Sequence, residues 1–190
     1  MLNGRMEVKP DPVVSLLLVC KQLNVDIEEE FGKIETIITS AVDNIHSITL
    51  QDWSEIRSIR FPPACMVDVL TALFKILGHE NLTFDQMTRR TREYREFSEM
   101  LITFDPRNIS ADVKLSVEAL FEEKSSSFQD SKVKNMPIGI VKLFSWVQSQ
   151  MRCAQILTTH VYPMQFELDE KLVQLRSVEE ANDDEEEEEV

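Results

Sequence analysis

Between Ile27 and Ile48 the apolar residues stand at Ile27, Phe31, Ile34, Ile38, Ala41, Ile45 and Ile48, in steps of 4, 3, 4, 3, 4 and 3. That spacing puts one apolar stripe along a helix and turns it towards a partner helix, in a coiled coil or a bundle. The next seam position is Asp52, a charge, after which Ile56 and Ile59 resume the pattern. Phe61-Pro62-Pro63 must then stop or bend the helix, because two prolines remove two backbone donors and push Phe61 out of the α region. Only 4 glycines occur in 190 residues. Sandwiches and barrels need more of them, since glycine supplies the positive φ of tight turns. The chain is expected to be all-α.

The other elements follow from start and stop signals. Asp11-Pro12 reads as an N-cap with proline at the first helical position, opening a helix that fades near Asn24. A second start is read at Asp26, with Glu28, Glu29 and Glu30 in its first turn. After the proline pair a helix carries Val67, Leu70, Leu73, Phe74 and Leu77 and ends at Gly78. One or two short amphipathic helices occupy 83–103, with Met87, Phe97, Met100 and Leu101 among the core candidates. Ser110 caps a helix through Glu122, and a longer one runs from about Pro137 to Thr159. Pro163 punctuates it, and a last helix carries Leu168, Leu172, Leu175 and Val178. Two heptad-like helices, each bounded by proline, thus flank a helical core. An antiparallel hairpin of coils with a compact head satisfies both seams.

Charge is distributed unevenly. The net charge is -14, with residues 1–52 at -5, residues 53–163 at +1 and residues 164–190 at -10. The acidic end NDDEEEEEV has almost nothing apolar to bury and is expected to be a disordered, solvated tail. Nucleic acid is excluded as a partner by the missing basic footprint. Cys20, Cys65 and Cys153 are an odd number with no CxxC pair, which fits a reducing compartment. No apolar stretch approaches the roughly 20 residues of a membrane span, and the first residues lack a signal-peptide core, so a soluble intracellular chain is expected. Neither phosphate-loop pattern is present, and His46, His79 and His160 stand at no metal-ligand spacing. The expectation is a chain without enzymatic activity and without a cofactor.

Several segments carry a resemblance. They are Glu55-Ile56-Arg57-Ser58, then Pro62-Pro63 leading to Ile76-Leu77-Gly78; Thr103-Phe104-Asp105-Pro106-Arg107-Asn108-Ile109-Ser110; Trp146-Val147; and Pro163. In this order and spacing they resemble the microtubule-binding stalk head of dynein heavy chains, and the Arg-Asn-Ile-Ser variant is most similar to the intraflagellar-transport, dynein 2 type. The likeness spans about 41–175. Three places depart from the family pattern: Phe84 stands for a frequent tryptophan, Val67-Asp68 for a basic position, and Asn135-Met136-Pro137 for serine-alanine.

The resemblance implies a domain plan: an N-terminal extension over 1–25, a first stalk helix over 26–61, a microtubule-binding head over 62–162, a returning stalk helix over 163–181 and the acidic tail over 182–190. The start at Met1 and the acidic end, read beside it, lead to the expectation of a small stand-alone protein. Pro62, Pro63 and Pro163 would act as hinges. Tubulin presents an acidic surface, so basic side chains are the candidates for contact: Arg89, Arg90, Arg92 and Arg95, then Lys75, Lys132, Lys134, Lys142 and Arg152. Their bland alternative is a solvated helix face paired to Glu93, Glu96 and Glu99. The expected function is non-motor docking on the α/β-tubulin lattice in a cilium or flagellum. Two readings compete with it: an adaptor whose degenerate head docks on an axonemal or dynein-complex protein, and a fragment of a dynein heavy chain.

Overall fold

A computed structural model describes residues 11–188, with no side-chain detail at position 130 or at 182–188. Among these residues there is no strand, and the fold is all-α. The N-terminal residues and the side chains of the acidic tail, expected to be disordered over 182–190, lie outside what is described.

The first helix, α1, runs Pro12–His46. Asp11 caps it as expected, accepting from the Val13 N–H at 2.8 Å. The break expected near Asn24–Asp26 does not occur. Asn24 donates back to the Cys20 carbonyl at 3.0 Å, and Asp26 accepts from the Gln22 amide at 2.8 Å, so both cap-prone side chains are used within the helix. The chain breaks instead after His46, where α2 begins, Leu50–Ser58. Asp52 is therefore no seam charge. It is the third residue of a capping box: Thr49 Oγ1 accepts from the Asp52 N–H, and the Asp52 carboxylate accepts from the Thr49 N–H at 2.7 Å. That Thr49 hydrogen bond, chiefly, holds the Asp52 pKa below the ordinary carboxylate value.

Two compact units divide the chain, one of residues 34–157 and one of 1–33 with 158–190. The larger unit is built around α3, Ala64–Ile76, which packs on α8, Ile138–Ile156, and on α6, Ala111–Glu123. Around them stand α2, α4 (Phe84–Arg90), α5 (Tyr94–Ile102) and the short α7 (Asp130–Val133). Pro63 N-caps α3, and Gly78, at φ +80°, ends it in a Schellman motif: the His79 N–H reaches the Phe74 carbonyl at 2.8 Å and the Gly78 N–H that of Lys75 at 3.0 Å. Trp53, Ile56, Met66, Leu70, Leu73, Leu101, Leu143 and Trp146 are wholly buried. Gly139 lets α8 approach α2, since a Cβ there would lie 2.9 Å from Ile56 Cδ1. The Phe104-Asp105-Pro106 turn is tied to α8 by Phe104, whose ring stands 5.5 Å from that of Trp146, while Trp146 Nε1 donates to the Leu101 carbonyl at 3.0 Å. Of the expected core residues, Met100 is exposed.

In the smaller unit the first part of α1 and α9 (Tyr162–Glu188) lie side by side and antiparallel. Glu30 Oε2 stands 3.4 Å from His160 Nδ1, and four residues back Asp26 shares a cleft with Pro163 and Met164. Glu30 is also the partner of Lys33, whose hydrogen bond is the main cause of its lowered pKa. On α1 Cys20 and Ile27, seven apart, are buried. On the return the inward positions are Val161, Met164, Leu168, Lys171, Leu175 and Val178, in steps of 3, 4, 3, 4 and 3. Lys171 thus holds the seam place expected of Leu172, which is more exposed, and its long stem can lie along apolar surface while the ammonium reaches water. Pro163 does not end a helix. The five residues Leu157–Val161 form a π turn, and the wider spacing absorbs the missing N–H of Pro163 and the clash of its ring with the preceding turn.

Candidate functional site

The arginine group is positioned by the residues between its members. A second capping box opens α4, with Thr83 and Gln86 exchanging side-chain and backbone hydrogen bonds at 2.8 and 3.3 Å. Met87, Thr91, Phe97 and Leu101 point inward. Thr91, wholly buried, donates to the Thr88 carbonyl at 2.9 Å and pins the turn between the two short helices. With those side chains committed to the core, Arg89, Arg90, Arg92 and Arg95 face water.

Their neighbours set the local field. Arg89 pairs with Asp85 at 2.7 Å, a solvent-exposed pair worth about 0–1 kcal/mol. Arg90 approaches His79 at 3.5 Å, and burial, followed by that guanidinium, lowers the His79 pKa. Arg95 donates to the Tyr94 hydroxyl at 3.2 Å. Glu93 and Glu96 line a cleft of about 240 Å³ with Phe74, His79, Arg90, Phe97 and Met100. Arg57, on α2, donates to the Arg92 carbonyl at 3.1 Å and so adds a fifth guanidinium to this edge. Nothing in the spacing of Arg57 pointed to the arginine group, which lies 35 residues on.

The lysines divide. Lys75 Nζ donates to Ser116 Oγ at 2.6 Å and ties α3 to α6. Lys142 Nζ donates to the Ser47 carbonyl at 2.7 Å, satisfying a backbone acceptor just past the end of α1. Both cations therefore have work inside the fold. Lys132, on α7, Lys134, just past its end, and Arg152, on α8, are exposed. Val67 is half-buried against the core, and Asp68 adds to the field at Lys124. Pro62 and Pro63 stand in the extended connection between α2 and α3, and Pro163 in the first turn of α9. Among the described residues, no group of three or more His, Cys, Asp or Glu is placed to hold a metal ion. No helix there is long and apolar enough to cross a membrane.

No family model matches the chain. Curated relatives do. The chain is 26% identical over 153 residues to cytoplasmic dynein 2 heavy chain 1 of Caenorhabditis elegans, covering 80% of this chain and 4% of that protein. It is 23% identical over 148 residues to the Chlamydomonas reinhardtii protein of the same name (78% and 3%) and 27% identical over 139 residues to the human one (73% and 3%). These agree with the resemblance carried by the proline pair, the Phe-Asp-Pro turn and Trp146-Val147. An all-helical chain spanning 3–4% of the length of these relatives, it is related to a short segment of the cytoplasmic dynein 2 heavy chain.

Proposed function

We propose that this chain is a non-enzymatic docking module that binds the microtubule lattice, in a cilium or flagellum, without nucleotide, metal or other cofactor. One observation carries the reading: four arginines in a seven-residue run, held outward on two short helices and the turn between them and joined by Arg57, in a chain related to dynein 2. Guanidinium groups on a rigid surface meet an acidic partner at low entropic cost. Lys132, Lys134 and Arg152 extend the basic set. The test is co-sedimentation with polymerised tubulin across a salt series. Binding is expected at low salt, weakening as salt rises, and falling at least about 10-fold when Arg89, Arg90, Arg92 and Arg95 are changed to Glu. Absence of binding at the lowest salt rejects the reading.

A second reading has its own support. Val67 stands half-buried where the resemblance implies a basic contact, and Lys75 and Lys142 are engaged internally. These features suit an adaptor that docks on an axonemal or dynein-complex protein, which pull-down with such partners tests.

A further inference from the structure

Phe61 is 94% exposed, and among the described residues the next large apolar side chain is Phe166 at 66%. Scattered apolar side chains at a surface are ordinary. Phe61 differs in how its backbone is held. It lies in a short arch pinned at both ends. Upstream, Trp53 and Ile56 are wholly buried, and Ile59, with φ -73° and ψ 114°, packs on the core. Downstream, Pro63 caps α3 and its carbonyl accepts from the Met66 N–H at 3.0 Å, with Met66 also wholly buried. Two prolines fix φ at successive positions, and the first restricts Phe61 itself to extended conformations. An aromatic side chain is thus presented on a backbone that loses little freedom when it binds.

The surroundings select the occupant. Arg60 is exposed beside it, and Arg57, in the last turn of α2, reaches the Arg92 carbonyl, which brings the arginine edge to the end of that helix. An aromatic anchor with Arg60 and Arg57 close to it along the chain fits a partner surface that is acidic and carries an apolar socket. We propose that Phe61 is the apolar anchor of the docking surface, inserting into such a socket on the acidic lattice while the arginines supply long-range attraction. This rests on the docking reading above.

The two contributions separate by salt, because removing an apolar side chain leaves the charges unchanged. The experiment is co-sedimentation of the full chain with polymerised tubulin at several salt concentrations, for the wild type, Phe61→Ala, Phe61→Leu and Arg92→Glu, with thermal melts of each. Phe61→Ala is expected to weaken binding about 10-fold at every salt concentration with an unchanged salt slope. Phe61→Leu should retain most of the affinity, and Arg92→Glu should change the slope. At 94% exposure, neither Phe61 variant should shift the melt. Wild-type binding that Phe61→Ala leaves intact overturns the anchor and leaves the docking reading standing. No wild-type binding at low salt overturns both.

Discussion

Trp53 and Trp146 are both wholly buried, yet their indole N–H groups are treated differently. Trp146 donates to the Leu101 carbonyl, a helix-end acceptor, whereas among the described residues Trp53 Nε1 meets no acceptor and its ring stands edge-on to Phe97 at 5.7 Å. Replacing either by phenylalanine removes volume, but only Trp146→Phe strands a buried carbonyl. It should cost about 1–3 kcal/mol more than Trp53→Phe in chemical denaturation. The cysteines make a second contrast. Burial pushes the Cys153 thiol up to about 11, and its sulfur faces the Ile34 carbonyl at 4.0 Å, while Cys65 is half-buried. Iodoacetamide at pH 8 should label Cys65 first and spare Cys153 until the chain unfolds, which mass spectrometry of the labelled peptides reads. A thiol pKa raised by folding stabilises the fold below its unfolded value of 9.0 and loses that contribution as pH climbs towards 11.

At the scale of elements, the capping box before α2 is the device that divides two helices. Thr49→Ala should cost about 0.5–2 kcal/mol. Asp52 adds a pH dependence of defined sign: its pKa is lowered on folding, so its contribution is complete above the unfolded value of 3.8 and fades as pH falls below it. In Asp52→Ala that acid-limb contribution should be missing from the stability–pH curve, measured by urea unfolding between pH 2 and 5. The contact of α2 with α8 is limited by Gly139, where Asp52 Cβ as well as Ile56 would crowd a side chain, at 3.3 Å from a Cβ. Gly139→Val should therefore destabilise by about 1–3 kcal/mol, through overpacking.

For the whole molecule the governing quantity is where charge sits. Residues 53–163 are almost neutral, while the chain as a whole carries -14. Deleting residues 182–190 removes seven carboxylates without touching a described side chain. Repulsion from an acidic partner should fall, so the truncated chain is expected to bind polymerised tubulin about 2- to 3-fold more tightly at low salt. The gain should vanish near physiological salt, where the Debye length is about 8 Å. Equal affinity of the two chains at low salt counts against electrostatic steering by the tail.

Periodicity and punctuation settled a good deal without coordinates. The 4-3 spacing from Ile27, the proline pair and the scarcity of glycine already imply helices, because each acts through local backbone sterics or a single helix face. The Asp11 cap and the Gly78 stop are of the same local kind. The Thr49–Asp52 box is equally local, but the 4-3 apolar spacing that continues through Asp52 to Ile56 masks it. Tertiary structure decided the rest. Whether Asn24 and Asp26 break a helix depends on which hydrogen bonds compete. Pro163 is carried by a π turn, and Lys171 takes a seam place because of how two helices face each other. Arg57 joins Arg92 across 35 residues of chain, and Lys75 and Lys142 are spent on partners 41 and 95 residues away. No pattern along the chain encodes such pairs, since a side chain's partner is set by packing of elements distant in sequence, and that packing alone determines which cations remain at the surface.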